Sequence, residues 1–101
     1  MLFRSSPKLE DASDNARLVA YAHLLLDRGD IGSARIVLQR AADMGSAEAS
    51  FALAESYDPL IPSKWGTYGT KGDTKRALEL YGKALAGGIK QAKERSDALH
   101  R

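Results

Sequence analysis

Two histidines are the residues of this sequence best suited to bind a metal ion. His23 and His100 lie far apart in the chain, which contains no cysteine and no H-E-x-x-H pattern. A zinc site usually needs three or four nitrogen, sulfur or carboxylate ligands close together. We therefore predict no metal site and no cofactor, and interpret both histidines as exposed or hydrogen-bonded side chains.

One glycine-rich stretch, "GTYGTKGD" at residues 66–73, could suggest a phosphate-binding loop. The Walker spacing G-x-x-x-x-G-K-S/T is absent, and no predicted β-strand precedes the loop. We interpret the stretch as a turn that leads to a helix cap at Asp73. The chain also lacks a G-x-S-x-G motif, and carboxylates such as Asp27 and Asp30 fall at helix ends, where solvation or capping explains them. Nothing indicates a nucleophile, so we predict that the protein is not an enzyme.

Length and composition indicate one small domain. The chain has 101 residues, of which 44% are apolar, enough for a modest core. The absence of cysteine excludes disulfide bonds. No apolar run approaches the roughly 18 residues of a spanning helix, and the first residues lack the features of a signal peptide. We expect a soluble protein, cytoplasmic or periplasmic, with residues 1–12 as a flexible N-terminal segment.

Charge is unevenly distributed along the sequence. The formal net charge is +2, with an acidic half over residues 1–60 and a basic half over residues 61–101. The basic side chains are interleaved with acidic ones and form no dense stripe. We therefore treat a nucleic-acid or anionic-surface binder using residues 61–101 as the alternative function, not the preferred one.

A seventeen-residue segment occurs twice, as "GDIGSARIVLQRAADMG" at residues 29–45 and "GDTKRALELYGKALAGG" at residues 72–88. In both copies small and apolar residues recur at the spacing of one helix face. Asp30 and Asp73 are placed to cap the helix start, and Gly45 and Gly88 to end it in a left-handed conformation. The residues that the two segments share are therefore those expected to form the ends and the buried face of a helix.

The remaining segments have matching apolar stripes, formed by Leu18, Tyr21, Ala22 and Leu25, and by Ser50, Leu53, Ala54 and Tyr57. We predict an all-α fold with helices A1 (14–28), B1 (30–44), A2 (47–57), B2 (73–87) and A3 (89–100), and a loop at 58–72. Leu85 is assigned to the buried stripe of B2. The predicted core consists of Ala22, Leu25, Ala34, Leu38, Ala41, Leu53, Ala54, Ala77, Tyr81 and Ala84.

The second of these hairpins resembles the sel-one-like repeat (SLR) of the tetratricopeptide-like (TPR-like) family. Ala49, Leu53, Ala54 and Tyr57 match the family's A-x-x-x-L-G/A-x-x-Y helix, and Gly69, Asp73, Arg76, Ala77, Tyr81, Lys83, Ala84 and Gly88 match its continuation. The resemblance covers residues 16–100, although the short "DRGD" turn of the first unit looks like an ordinary tetratricopeptide repeat. It implies a right-handed α/α superhelix of about two helix hairpins, with A3 as a C-terminal capping helix.

The resemblance also implies a function, because such arrays are non-catalytic adaptors or scaffolds that hold a peptide or protein against their concave A helices. By that geometry the groove residues are Val19, His23 and Asp27 from A1, Phe51 and Glu55 from A2, and Gln91 and Glu94 from A3. The alternative for Val19 and Phe51 is that they belong to the core.

Two aromatic residues in the loop at 58–72 complete the candidate binding residues. Trp65 and Tyr68 either cover the core of the helix stack or contact a partner, and we expect Trp65 to be the more buried of the two. Helix A1 is apolar on most of its circumference, so we also expect a homodimer or a preceding domain to contact it. The sequence does not identify the partner.

Overall fold

The computed structural model describes residues 7–61 and 72–100, with side chains from residue 14 onward, and these ranges form five α-helices and no β-strand. The helices are α1 (Pro7–Asp27), α2 (Ile31–Asp43), α3 (Ala47–Tyr57), α4 (Thr74–Ala86) and α5 (Gln91–His100). For the described part of the chain, the all-α prediction is confirmed. The predicted helices A1, B1, A2, B2 and A3 correspond in that order to α1–α5. The predicted and observed boundaries differ mainly at the start of α1.

Helix α1 begins at Pro7, inside the segment 1–12 that the sequence analysis assigned to a flexible leader. Residues 7–12 are therefore helical, whereas the predicted helix A1 begins at residue 14. Proline is favoured in the first helical turn because its missing N–H would have no partner there. The residues that follow include lysine, leucine, glutamate and alanine, which all favour helix, but their mixed polarity forms no apolar stripe that would have indicated one.

The predicted caps are present at both copies of the repeated segment. Asp30 accepts a hydrogen bond from the Ser33 N–H at 3.3 Å, and Asp73 accepts one from the Arg76 N–H at 3.1 Å. Gly45 and Gly88 have φ angles of +97° and +104°, a conformation that few other residues adopt without strain. Local sequence therefore determines where α2 and α4 begin and end.

Each helix packs against the next one in the chain, and α1 also contacts α3. All ten predicted core residues are buried. The core also contains Leu26, Ile31, Ala49, Ala52, Leu80 and Ala92. Because many of these side chains are alanine, the helices can approach closely and still exclude water.

Two residues assigned to apolar stripes are exposed. Tyr21 is 53% exposed and Leu85 is 42% exposed. On α1 the core side instead includes Ala22, Leu25 and Leu26, so Tyr21 lies beside the buried face. On α1 and α4 the predicted apolar stripe is thus wider than the surface that neighbouring helices cover.

The connection between α3 and α4 has its two ends close together. The Asp73 N–H donates a hydrogen bond to the Tyr57 carbonyl at 2.7 Å, next to the Asp73 cap. A β-carbon on Gly72 would lie 3.2 Å from both the Pro59 β-carbon and the Tyr57 carbonyl oxygen, so the backbone approaches closely at this point. The α3–α4 hairpin is therefore closed at its base whatever the length of its connection.

Candidate functional site

The candidate site is an open groove bordered by α1, α3 and the start of α5, with a volume of about 320 Å³. We call it the α1–α3–α5 groove. Its apolar lining consists of Val19, Phe51, Ala52 and Ile89, and its polar lining of His23, Glu48, Glu55 and Gln91. An apolar floor with a few polar groups at the rim is the usual composition of a ligand or peptide site.

The structure brings together five of the nine predicted binding residues, namely Val19, His23, Phe51, Glu55 and Gln91. Asp27 and Glu94 are exposed but do not line the groove. Trp65 and Tyr68 lie outside the described residues. Sequence reasoning missed Glu48, Ala52 and Ile89, although Glu48 lies three residues before Phe51 and Ala52 three residues before Glu55, a spacing that places each pair on one helix face.

Val19 and Phe51 were predicted either to line the groove or to belong to the core, and in the structure each does both in part. Each is half-buried and packs against the core, yet each also lines the open groove. One side of the side chain therefore supports the helix packing while the other remains available to a ligand.

The wall of the groove around Phe51 is held in place by neighbouring side chains. The Phe51 ring lies 5.7 Å from the Tyr81 ring in a tilted arrangement, and the Arg95 guanidinium lies 5.3 Å from the Phe51 centroid. Arg95 also forms an ion pair with Glu55 at 2.8 Å. These contacts restrict the Phe51 and Glu55 rotamers, so less conformational entropy is lost when a ligand binds.

Behind this wall, Tyr81 and Asp58 form a buried hydrogen bond. The Tyr81 hydroxyl donates to Asp58 Oδ2 at 2.6 Å, and Asp58 Oδ1 accepts the Leu60 N–H at 2.8 Å. Burial raises the pKa of the Tyr81 phenol, and the hydrogen bond to Asp58 raises it further. The sequence analysis placed Asp58 in the loop and missed this pair, because only tertiary packing joins the two residues.

A second polar cluster surrounds the Tyr57 ring on α3. The Arg35 guanidinium lies 3.8 Å from the ring centroid and that of Arg76 lies 5.2 Å away. Arg35 donates to the Ser56 hydroxyl at 3.1 Å and to the Ser56 carbonyl, while Arg76 donates to Gln39. Burial lowers the pKa of Arg35, partly offset by Tyr57. The cluster joins α2, α3 and α4, and no sequence motif indicated it.

Within residues 7–61 and 72–100, no cluster of three or more histidine, cysteine or carboxylate side chains could hold a metal ion. No helix in the same ranges is both long and apolar enough to cross a membrane. Comparisons with protein-family models, with curated proteins and with solved structures found no match to this chain. The α1–α3–α5 groove therefore has to be interpreted from its own geometry.

Proposed function

We propose that this chain is a protein-interaction module that binds a peptide or protein segment in the α1–α3–α5 groove, as an adaptor and without catalysis. In this proposal the two hairpins stack as a right-handed, tetratricopeptide-like superhelix whose concave face carries α1, α3 and α5. The observation that carries it is the groove itself, because its walls come from the alternate helices α1 and α3 and from the start of α5.

The chemistry of the groove supports a partner with an apolar anchor. Phe51 is an aromatic side chain fixed by Tyr81 and Arg95, and Val19 and Ile89 extend the apolar surface beside it. Buried aromatic contacts of this kind often dominate the free energy of protein association. His23 and Gln91, both exposed at the rim, offer hydrogen bonds to a peptide backbone.

The charges also favour a groove binder over a nucleic-acid binder. In the basic half of the chain, Lys93 is paired with Asp97 at 3.0 Å and Arg95 with Glu55 at 2.8 Å. Cations that are already paired with carboxylates contribute less to phosphate binding. The lining of the groove is moreover apolar and acidic, which would repel a phosphate backbone.

The proposal is tested by selecting peptides from a random displayed library on the full chain and measuring their affinity by calorimetry. Phe51→Ala should weaken binding by about 30-fold or more, and Gln91→Ala, at an exposed rim position, by about threefold to tenfold. Ile36→Ala is the control, because Ile36 is 74% exposed and lies outside the groove, so this change should leave the peptide affinity unaltered.

Salt and stability measurements complete this test. Affinity should change little between about 0.05 and about 0.5 M salt, whereas a nucleic-acid complex would weaken steeply. Melting curves separate lost binding from lost folding for Phe51→Ala. The proposal would be contradicted if no peptide were selected. It would also be contradicted if the selected peptides bound Phe51→Ala and Gln91→Ala with the same affinity as the parent.

A further inference from the structure

The charged side chains that line the α1–α3–α5 groove are both acidic. Glu48 and Glu55 come from α3, and no lysine or arginine among the described residues lines the groove. Lys90 is next in sequence to two lining residues, but it is exposed and does not line the groove itself. His23 adds no charge in its neutral form. The groove therefore presents negative charge to a bound segment.

The two carboxylates differ in whether a cation already balances their charge. Glu55 is paired with Arg95 at 2.8 Å. Glu48 is exposed in the first turn of α3, and it takes part in neither of the ion pairs formed between described residues. The unbalanced negative charge of the groove therefore lies at Glu48.

Glu48 lies beside the apolar floor of the groove. The spacing i, i+3, i+4 and i+7 along α3 is occupied by Glu48, Phe51, Ala52 and Glu55, so these side chains share one helix face. Along the helix axis, Phe51 and Ala52 are about 5 Å from Glu48, and Glu55 is about 10 Å from it. The face therefore runs from an unpaired carboxylate, across an apolar floor, to a carboxylate that Arg95 already neutralises.

The volume of the groove limits what can enter it. About 320 Å³ is at the lower end of the roughly 300 to 1000 Å³ that is typical of ligand pockets. Such a space holds one or two side chains of a peptide, not a folded surface. In an extended segment, alternate side chains point to the same side and are about 7 Å apart. Two alternate side chains therefore span the distance from the apolar floor to the Glu48 carboxylate.

We propose, on the basis of the proposed function, that the bound segment carries a lysine or arginine within two residues of a large apolar side chain. The apolar side chain packs on Phe51 and Ala52, and the cation pairs with Glu48. Glu55 provides no second cation site, because Arg95 is already paired with it. An acidic segment would place its carboxylates against Glu48 and is therefore disfavoured. Phe51 provides affinity in this arrangement, and Glu48 determines specificity.

Peptide selection from a random displayed library, on the full chain and on three variants, tests the role of Glu48. The parent should select peptides in which lysine or arginine is enriched within two residues of an apolar side chain. Glu48→Gln should lose that enrichment but keep the apolar residue, and Glu48→Lys should select aspartate or glutamate instead. Glu94→Gln is the matched control and should select the same peptides as the parent. Glu94 is also an exposed acid in the first turn of its helix, but it does not line the groove.

Calorimetry with one selected peptide measures the contribution of the ion pair. Replacing the lysine or arginine of that peptide by methionine should weaken binding to the parent by about threefold to fivefold, but binding to Glu48→Gln by less than about 1.5-fold. Equal weakening for both chains, or selected peptides without an enriched cation, would overturn the role of Glu48 while leaving the groove as a peptide site. Failure to select any peptide would overturn the proposed function and the role of Glu48 together.

Discussion

The two helical hairpins, α1–α2 and α3–α4, bury equivalent repeat positions with different chemistry. In the first hairpin the positions are occupied by Leu26 and Leu38, which are 1% and 0% exposed. In the second, Tyr81 takes the place of Leu38 in the repeated segment, and Asp58 lies four residues after Ala54 as Leu26 lies four after Ala22. Asp58 and Tyr81 are also buried and are joined by a 2.6 Å hydrogen bond. Both hairpins therefore bury these two positions, and the second accommodates a polar pair because each of its side-chain oxygens has a hydrogen-bond partner.

The connections between the helices explain why the second hairpin uses this polar pair. The short "DRGD" turn of the first hairpin is closed by backbone hydrogen bonds such as that from the Asp30 N–H to the Leu25 carbonyl at 2.8 Å. The second hairpin has the long connection at 58–72, whose first residue is Asp58. Through Tyr81, Asp58 fixes the start of this connection to α4.

The largest loss of stability is expected when Tyr81 alone is replaced by leucine, the residue found at the equivalent position 38 of the first hairpin. Tyr81→Leu removes the ring and leaves Oδ2 of the buried Asp58 without its donor, so the free energy of unfolding should fall by about 2 to 5 kcal/mol. Adding Asp58→Leu should recover about 1 kcal/mol or more of that loss. Chemical denaturation of both variants measures this coupling, and purely additive losses would show that the pair does not act as a unit.

A smaller change, Tyr81→Phe, isolates the hydrogen bond and should cost about 1 to 3 kcal/mol. Because folding raises the Tyr81 pKa, the contribution of this phenol is complete below a pH of about 10 and is lost as the pH rises above it. The parent should therefore lose stability faster than Tyr81→Phe at alkaline pH. Tyr21→Phe, at an exposed tyrosine, is the control, and parallel pH curves for parent and Tyr81→Phe would contradict the assignment.

The helix ends differ between the hairpins in a way that glycine substitutions can measure. Met44 ends α2, but the equivalent Gly87 at the end of α4 lies against Ala47, where an added β-carbon would clash with the alanine methyl group. Gly87→Ala should therefore cost about 1 to 2 kcal/mol. Gly82→Ala, inside α4 with no atom within 4 Å of the new β-carbon, should instead stabilise by about 0.5 to 1 kcal/mol. Thermal unfolding that ranks the two variants in the opposite order would contradict the packing at this helix end.

The smallest effect is expected at the feature that the hairpins share. Asp30→Ala and Asp73→Ala each remove one capping hydrogen bond at an exposed helix start, and each should cost about 1 kcal/mol. Nearly equal losses in denaturation experiments would support the equivalence of α2 and α4. A loss several times larger for one cap would show that the two helix starts are not equivalent.

The features that the sequence predicted correctly are those that depend on local interactions. Asp30, Asp73, Gly45 and Gly88 each act within one helical turn, so their roles follow from neighbouring residues. Helical spacing likewise identified most of the buried residues, whereas the groove residues on α1 and α3 were expected from the resemblance to tetratricopeptide-like repeats.

The features that the sequence did not predict depend on contacts between distant segments. The Asp58–Tyr81 hydrogen bond and the stacking of Arg35 on Tyr57 arise only when α3 packs against α2 and α4. The exposure of Tyr21 was missed for a similar reason, because spacing shows which residues share a face but not how much of it a neighbour covers. The start of α1 at Pro7 was missed because its first turns carry no apolar stripe.

The most direct test of the proposed function is to map a selected peptide onto the chain by NMR chemical-shift perturbation. The largest backbone shifts should fall on α1, α3 and the start of α5, around Val19, His23 and Phe51, while Ile36 and its neighbours on α2 remain unchanged. Shifts concentrated on α2 and α4, with the groove residues unaffected, would contradict the assignment of the α1–α3–α5 groove as the binding site.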